Sequence, residues 1–319
     1  MSLLALACAK FPDSKSNPRN FLALHAKIPS KLKGTVVALS STGDLCSGGR
    51  KTLKTISSVA LGGGVKTEKM PGHWVLARLG KRVLRPGGMQ LTRCMLETLR
   101  IRHADDVVEF APGLGITARL TLGLEPASYT AVERDEDAAQ IVASYLEGDR
   151  QHCVVGNAAH TGLPNQCATV VYGEAMLTMQ PEEIKRQIVR EAYRLLIRAG
   201  RYGIHEMCLM SNNLDETKKR ETEKALTGVV HHGVRPLSVL EWETLLESEG
   251  FEVQSRTTAP MSLLEPGRLI RDEGLAGAAR FGKNLLLDSE ARRRVLEMRS
   301  VFRRYRKQLG GVVIIARKR

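Results

Sequence analysis

The 319-residue chain carries 48 lysine and arginine side chains against 34 aspartates and glutamates, a formal net charge of +14. Residues 1–69 hold nine Lys, two Arg and three acidic side chains, so over half of the excess lies there and the charge favours a nucleic-acid partner only weakly. No run reaches the roughly 20 apolar residues of a membrane-spanning helix, so we expect a soluble, cytoplasmic protein. The six cysteines form no C-x-x-C pair, and we predict no metal site.

The first 70 residues differ in composition from the remainder. They are rich in Ser, Lys, Gly and Thr, poor in acids, and show no sustained hydrophobic period, which predicts disorder. Three explanations are open: a targeting peptide, a natural flexible tail, or a start codon assigned too early, with the working protein beginning near Val65 or Met70. The last two are favoured, and we expect the folded domain to span residues 71–319.

Two helices are predicted before the first strand of that domain. Apolar side chains at helical spacing indicate a helix over 72–85 with a basic outer face, and Pro86-Gly87-Gly88 ends it. A second helix follows, with its apolar side chains running from Leu91 to Leu99.

From Asp106 onward, strands alternate with helices. The predicted strands cover 107–111, 129–132, 153–155, 169–172, 202–207, 251–256 and 312–316. The predicted helices cover 116–124, 136–146, 181–197 and 240–249, and residues 261–309 form a helical insertion before the last strand. This alternation predicts an α/β fold with a largely parallel sheet and helices on both faces.

A glycine turn at the end of the first predicted strand is the first candidate for chemistry. The stretch from Gly113 to Ala118 matches G-x-G-x-x-A, which alone is a weak dinucleotide signal. Glu109 changes the interpretation, because a carboxylate at the mouth of this turn repels a diphosphate and suits a cationic ligand. S-adenosylmethionine has a sulfonium and an ammonium and no phosphate. The alternative is that Glu109 only caps loop amides.

Polar residues that suit a nucleoside also lie at the ends of the second and third predicted strands. Glu133, followed by Arg134, ends the second strand, where a carboxylate accepts hydrogen bonds from ribose hydroxyls. Gly156-Asn157-Ala158 follows the third strand, where the Asn side chain and the Ala N–H can hydrogen-bond adenine.

These motifs together resemble class I S-adenosylmethionine-dependent methyltransferases, and more narrowly the ubiquinone/menaquinone-biosynthesis (UbiE-like) small-molecule type. The resemblance rests on Glu-x-x-Pro-Gly-x-Gly, Val-Glu, Gly-Asn-Ala and the segment 168–175, and it covers residues 73–210 best. It implies a Rossmann-like sheet with an antiparallel last strand and S-adenosyl-L-methionine as cofactor. The residues that it assigns to the cofactor are Glu109, Ala111, Gly113, Gly115, Glu133, Arg134, Asn157, Ala158 and Glu174. The sequence departs from the pattern mildly, with Glu at 109, Ala at 111 and Asn at 157.

The candidate catalytic residues follow the fourth and fifth predicted strands. They are Tyr172, Glu174 and His205, together with Glu206 next to His205, and His160 is a weaker candidate. Glu174 and His205 are the preferred pair, because adjacent strand ends bring side chains to one pocket. By the resemblance, the first helix covers the pocket as a lid and its His73 and Trp74 touch the substrate.

The sequence therefore predicts methyl transfer to a small organic acceptor by in-line displacement. Three rivals stay open: a nucleic-acid methyltransferase, supported by the Arg-rich segment 289–309; an NAD-dependent oxidoreductase; and a cofactor-binding protein without catalysis. No nucleic-acid partner is expected. The basic helices allow peripheral membrane contact, and the oligomeric state is open.

Overall fold

The fold is described from a computed structural model, which describes residues 36–38 and 66–319. The remainder of the N-terminal tail, for which we predict disorder, lies outside the described residues. Residues 36–38 form a short strand that the sequence analysis did not predict, and its backbone pairs parallel with the strand at 151–155.

Nine strands form one mixed sheet in the described chain. They are β1 (Val36–Ala38), β2 (Asp106–Phe110), β3 (Ser128–Glu133), β4 (Gln151–Val155), β5 (Ala168–Glu174), β6 (Leu196–Leu209), β7 (Leu237–Ser238), β8 (Phe251–Pro260) and β9 (Leu309–Lys318). The order is β1-β4-β3-β2-β5-β6-β9-β8, with β7 paired to β6.

Among the described strands, only the last runs against the others. β9 lies antiparallel between β6 and β8, and its first eight residues are buried. The remaining pairs are parallel, so the carboxyl ends of β2, β3, β4 and β5 meet at one edge of the sheet. The predicted fold class is confirmed, including the antiparallel last strand and the helical insertion before it.

Nine helices surround the sheet in the residues described. They are α1 (Gly72–Arg78), α2 (Gly88–Leu99), α3 (Ile116–Leu122), α4 (Glu136–Ala143), α5 (Glu182–Leu195), α6 (Glu216–Val230), α7 (Val239–Ser248), α8 (Pro266–Leu287) and α9 (Ser289–Arg304). One apolar cluster packs α5 and α7 on one face of the sheet, and another packs α2 and α4 on the other. The sheet is therefore covered on both faces, as predicted.

A third apolar cluster joins α1, α6, α8 and α9, which we call the helical cap. Arg294 of α9 is buried and donates hydrogen bonds to the carbonyls of Thr67, Glu68, Met70 and Val229, so it ties the cap together. Within residues 66–319, no helix is long and apolar enough to cross a membrane.

The first helix is shorter than predicted, and two of the four basic side chains of its predicted outer face are buried. α1 ends at Arg78 rather than Arg85, because Gly80 takes a φ of 97°. Lys81 and Arg85 are buried instead of exposed, beside Glu273 and Glu174 respectively. Arg78 and Arg82 are exposed, so half of the predicted basic stripe is present, and its contact with a membrane surface or acidic partner stays a prediction.

Candidate functional site

A cavity of about 380 Å³ opens at the carboxyl ends of the parallel strands, beneath the helical cap. Its floor is the loop between β2 and α3. Gly113 has a φ of 55°, and a Cβ added there would meet no atom within 4 Å, so its backbone is open to a ligand. Gly115 differs, because a Cβ there would lie 1.6 Å from the Tyr145 hydroxyl, so packing against Tyr145 requires glycine.

Glu109 projects from β2 into the base of this cavity. Its Oε2 accepts hydrogen bonds from the hydroxyls of Tyr129 at 2.6 Å and Tyr172 at 2.7 Å. Burial raises the pKa of the carboxyl to about 7, although the two tyrosine hydroxyls oppose that shift. Within the described residues, Oε1 accepts no hydrogen bond, so one oxygen is left for a ligand. Glu109 does not cap the loop amides, as the alternative interpretation required.

Glu133 takes that capping role from the end of β3. Its Oε2 accepts from the Gly113 N–H at 2.9 Å, and its Oε1 accepts from the N–H groups of Arg134 and Asp135. Asp135 caps α4 by accepting from the Ala138 N–H. An ionised carboxylate has about four acceptor positions, so Glu133 keeps one of them for a ligand.

Asn157 and Ala158 line the same cavity beyond β4. The Asn157 side chain is exposed, and its Oδ1 accepts from the Ala159 N–H at 2.9 Å, which fixes the turn. Arg134 is also exposed on the cavity lining, next to Glu133. The structure therefore brings together all the residues predicted to bind the adenosine part of the cofactor.

Glu174 lies at the end of β5, in a buried cluster of charges. Its Oε1 accepts from Thr92 and His205, both at 2.7 Å, and its Oε2 accepts from Arg85 and Thr117. Burial raises the pKa of this carboxyl, but Arg85 and then His205 outweigh it and lower the pKa to about 2. All four acceptor positions are occupied, and so low a pKa makes a weak base. Glu174 therefore fits neither the predicted catalytic role nor a cofactor contact.

The other two predicted catalytic residues do not line the cavity. Tyr172 is fully buried, and its hydroxyl bonds Glu109 and Thr121. His205 is fully buried too, with Nδ1 on Glu174 and Nε2 on the Pro86 carbonyl at 2.6 Å. The sequence placed His205 beside Glu174, and the β5–β6 register pairs them. Their role in this geometry is to position Glu109 and Glu174.

The candidate Glu206, next to His205, is also structural. It is fully buried and accepts from the N–H groups of Met176, Leu177 and Thr178 and from the Thr178 hydroxyl. It thereby fixes the loop after β5 that forms one wall of the cavity. Among the described residues, no group of three or more His, Cys, Asp or Glu side chains is placed to bind a metal ion.

The predicted substrate residues His73 and Trp74 line the cavity from α1. Their rings lie 5.0 Å apart between centroids, at an interplanar angle of 50°. Sequence reasoning missed Arg85, which enters the cavity from the segment between α1 and α2. Its partner Glu174 lies 89 residues away, so no local pattern indicated the pair.

No family model matches the chain. A Haemophilus influenzae protein, described only as an uncharacterized protein, is 31% identical over 223 residues, which cover 67% of this chain and 85% of that protein. The chain belongs to the family of that protein.

Solved structures share the fold at low sequence identity. Phosphoethanolamine N-methyltransferase 2 of Haemonchus contortus, in complex with phosphomonomethylethanolamine and S-adenosylhomocysteine, has a TM-score of 0.60 at 12% identity, covering 83% of this chain and 60% of that one. The [4+2]-cyclase SpnF has a TM-score of 0.52 at 16% identity, covering 72% and 80%. The class I methyltransferase fold is thereby confirmed. Because a cyclase also has this fold, the fold alone does not determine which reaction a protein catalyses.

Proposed function

We propose that the protein transfers a methyl group from S-adenosylmethionine to a small organic acceptor. The observation that carries the proposal is the pair of carboxylates at the bare Gly113 backbone. Glu109 and Glu133 each keep an acceptor position for a ligand, whereas the nearby Glu174 has none. Glu109, at the mouth of the turn, suits a cationic ligand and opposes a diphosphate, which disfavours a nicotinamide dinucleotide, whereas Glu133 suits the ribose of either cofactor.

The cavity residues fit that cofactor in order along its length. Glu109 would accept from the ammonium, and the open backbone at Gly113 would lie against the methionine portion. Glu133 would accept from the ribose hydroxyls, with Asn157 and Ala158 at the adenine. Arg85 lines the cavity beside Glu174, and we assign to it the carboxylate of the methionine portion.

The protein's share of the chemistry is alignment and exclusion of water. When bound, S-adenosylmethionine supplies an activated methyl group for in-line displacement by the acceptor. The Gly113 loop and the carboxylates would hold the cofactor, and the helical cap would enclose the acceptor. Holding the reactants in line is worth roughly 7–11 kcal/mol of the barrier. The structural neighbour that acts on a phosphoethanolamine supports a small-molecule acceptor. The narrower UbiE-like resemblance stays a prediction.

Calorimetry and a transfer assay test this proposal. We expect S-adenosylhomocysteine to bind the purified protein and NAD to bind at least a hundredfold more weakly. Radiolabelled methyl from S-adenosylmethionine should then appear in acceptors from a panel of small molecules. Tighter binding of NAD would overturn the proposal, and cofactor binding without transfer to any acceptor would favour a non-catalytic binding protein.

A further inference from the structure

The outer face of α8 carries two large apolar side chains that are exposed. Leu275 and Leu286 expose 76% and 73% of their surface. The one break in this helix lies at Gly274, whose φ is 73°, so the helix is regular from Leu275 onward. At about 100° per residue, four residues fall within about 60° of one another around its axis: Leu275, Ala279, Gly282 and Leu286. Two leucines therefore flank two small residues on one narrow stripe, which we call the α8 stripe.

The contacts within the described chain do not explain why position 282 is glycine. Glycine destabilises the interior of a helix relative to alanine. Gly282 has no positive φ, and a Cβ added there would meet no atom within 4 Å. Neither backbone conformation nor packing against the described residues therefore requires glycine here. A bare stretch of helix between two exposed leucines instead suits the close approach of another backbone.

The four positions of the α8 stripe are symmetric along the helix. Ala279 and Gly282 lie at equal distances from the midpoint between residues 280 and 281, and so do Leu275 and Leu286. If two copies of this helix pack antiparallel about a two-fold axis, Leu275 of each copy meets Leu286 of the other, and the small residues meet at the centre. A two-fold interface between identical chains requires this self-complementarity.

The charges of the helix lie beside the α8 stripe. Lys283 and Arg280 are exposed about 70° and 130° from its centre, and residues 274–287 contain no acidic side chain. In a dimer these cations repel one another across the rim, so added salt should strengthen association. An anionic lipid surface would attract them, and salt would weaken its binding. A membrane is best served by bulky apolar side chains along the whole face, so the small residues at the centre favour a second helix.

We propose that the α8 stripe is the contact surface between two copies of this chain, packed antiparallel around Ala279 and Gly282. The regular part of the helix, from Leu275 to Leu287, is about 20 Å long. A helix pair of that length buries an area at the low end of the range for specific interfaces. The dimer is therefore weak and reversible, with a dissociation constant in the micromolar range.

Sedimentation velocity of the full chain, from low micromolar concentrations to about 1 mM, tests this proposal. We expect reversible dimerisation that strengthens as salt rises from about 0.05 M to about 0.3 M. Leu286→Gln should weaken the dimer at least tenfold, because glutamine keeps the length of the side chain and favours the helix but loses the apolar contact. The matched control is Leu287→Gln. Leu287 is 75% exposed on the same helix, but about 100° from Leu286, so this change should leave the dissociation constant as it is.

Gly282→Ala separates the effect on the interface from the effect on the fold. The added methyl group should raise the melting temperature of the monomer, because alanine favours the helix and meets no described atom. It should also weaken the dimer at least fivefold, because it holds the two backbones apart. A lower melting temperature would mean that the fold itself requires this glycine, and would overturn the inference.

Four other results would also overturn the inference. They are a wild-type chain that is monomeric at every concentration, a dimer that salt weakens, a dimer unchanged in Gly282→Ala, and equal losses in Leu286→Gln and Leu287→Gln. Unchanged circular dichroism of the two leucine variants shows that both are folded. Binding of a monomeric chain to phosphatidylglycerol vesicles, lost in both variants, would assign this helix to a membrane surface instead.

Discussion

The two halves of the cavity are built by different means. The half at the sheet consists of strand ends and turns whose carboxylates are held by neighbouring backbone and side-chain donors. The half at the helical cap consists of apolar side chains from separate helices and loops, with His73 as a buried polar exception. The polar half, held by hydrogen bonds, suits a single cofactor. The apolar half, whose methionines can change conformation, suits acceptors of different shapes.

The buried charges between the two halves should produce the largest effect. Replacing Glu174 (Glu174→Leu) leaves Arg85 and His205 buried without their counter-charge, so we expect the free energy of unfolding to fall by about 3–5 kcal/mol. Urea denaturation measures the loss. The matched control is Glu297→Leu, which removes the partner of the exposed Arg293 and should cost less than about 1 kcal/mol. Similar losses in both variants would show that the cluster is not a rigid support.

The assignment of Glu133 to the ribose hydroxyls predicts the second-largest effect, a loss of cofactor affinity. Glu133→Ala should weaken S-adenosylhomocysteine binding by about 1–3 kcal/mol, the scale of lost hydrogen bonds to a charged acceptor. Because Glu133 also holds the Gly113 N–H, the 2′,3′-dideoxy form of the ligand is needed as a second probe. Damage to the loop would weaken both ligands equally, whereas lost ribose contacts weaken only the hydroxylated one. Glu136→Ala, exposed at the start of α4, should change neither affinity.

The pH dependence of cofactor binding should distinguish the contribution of Glu109 from that of Glu174. Burial raises the pKa of Glu109 to about 7, so this carboxyl is mostly protonated at pH 6 and mostly ionised at pH 7.5. The ammonium of S-adenosylhomocysteine prefers the ionised form, so the affinity for this ligand should rise with pH, by about eightfold over this interval. Glu174, with its pKa lowered to about 2, is ionised throughout and contributes no change. Calorimetry at both pH values on the wild type and Glu109→Gln checks this, and a dependence that persists in the variant contradicts the assignment.

The sheet half was open to prediction because its signals are local. Gly113 lies in the turn directly after β2 and Glu133 ends β3, and the chemistry follows from those positions. The pairing of Glu174 with His205 also followed, since adjacent parallel strands place their ends together. What the sequence did not show is that the Pro86 carbonyl occupies the second nitrogen of His205 and that two tyrosines enclose Glu109.

The cap half was harder to predict because its residues converge from distant segments. The methionines at 179, 207, 261 and 298 come from four different parts of the chain, and each alone has the pattern of an ordinary core residue. Lys81 and Arg85 follow a helical repeat, yet the helix ends at Arg78 and both side chains are buried beside acids far along the chain. Long-range ion pairs of this kind leave no periodic signal.

Replacing Ala111 by glycine should produce the smallest effect. It tests whether the backbone of the sheet half can be made more stable. The φ of Ala111, 50°, lies in the left-handed region, which favours glycine. That conformation destabilises the folded state by about 1–2 kcal/mol when the residue is not glycine. Glycine removes this cost, but it also makes the unfolded chain more flexible, which lowers the free energy of unfolding by about 0.4–1 kcal/mol. Ala111→Gly should therefore stabilise the fold by about 0.5 kcal/mol in urea denaturation.

A matched alanine shows whether that stabilisation comes from the backbone. Ala192→Gly, inside α5 where the backbone is helical, should lose about 1 kcal/mol or more, the opposite sign. Binding of S-adenosylhomocysteine should stay the same in Ala111→Gly, because the Ala111 N–H already donates to the Val132 carbonyl at 2.8 Å and glycine keeps that bond. A loss of affinity would mean that the methyl group itself contacts the cofactor, and that the strained alanine is retained for binding.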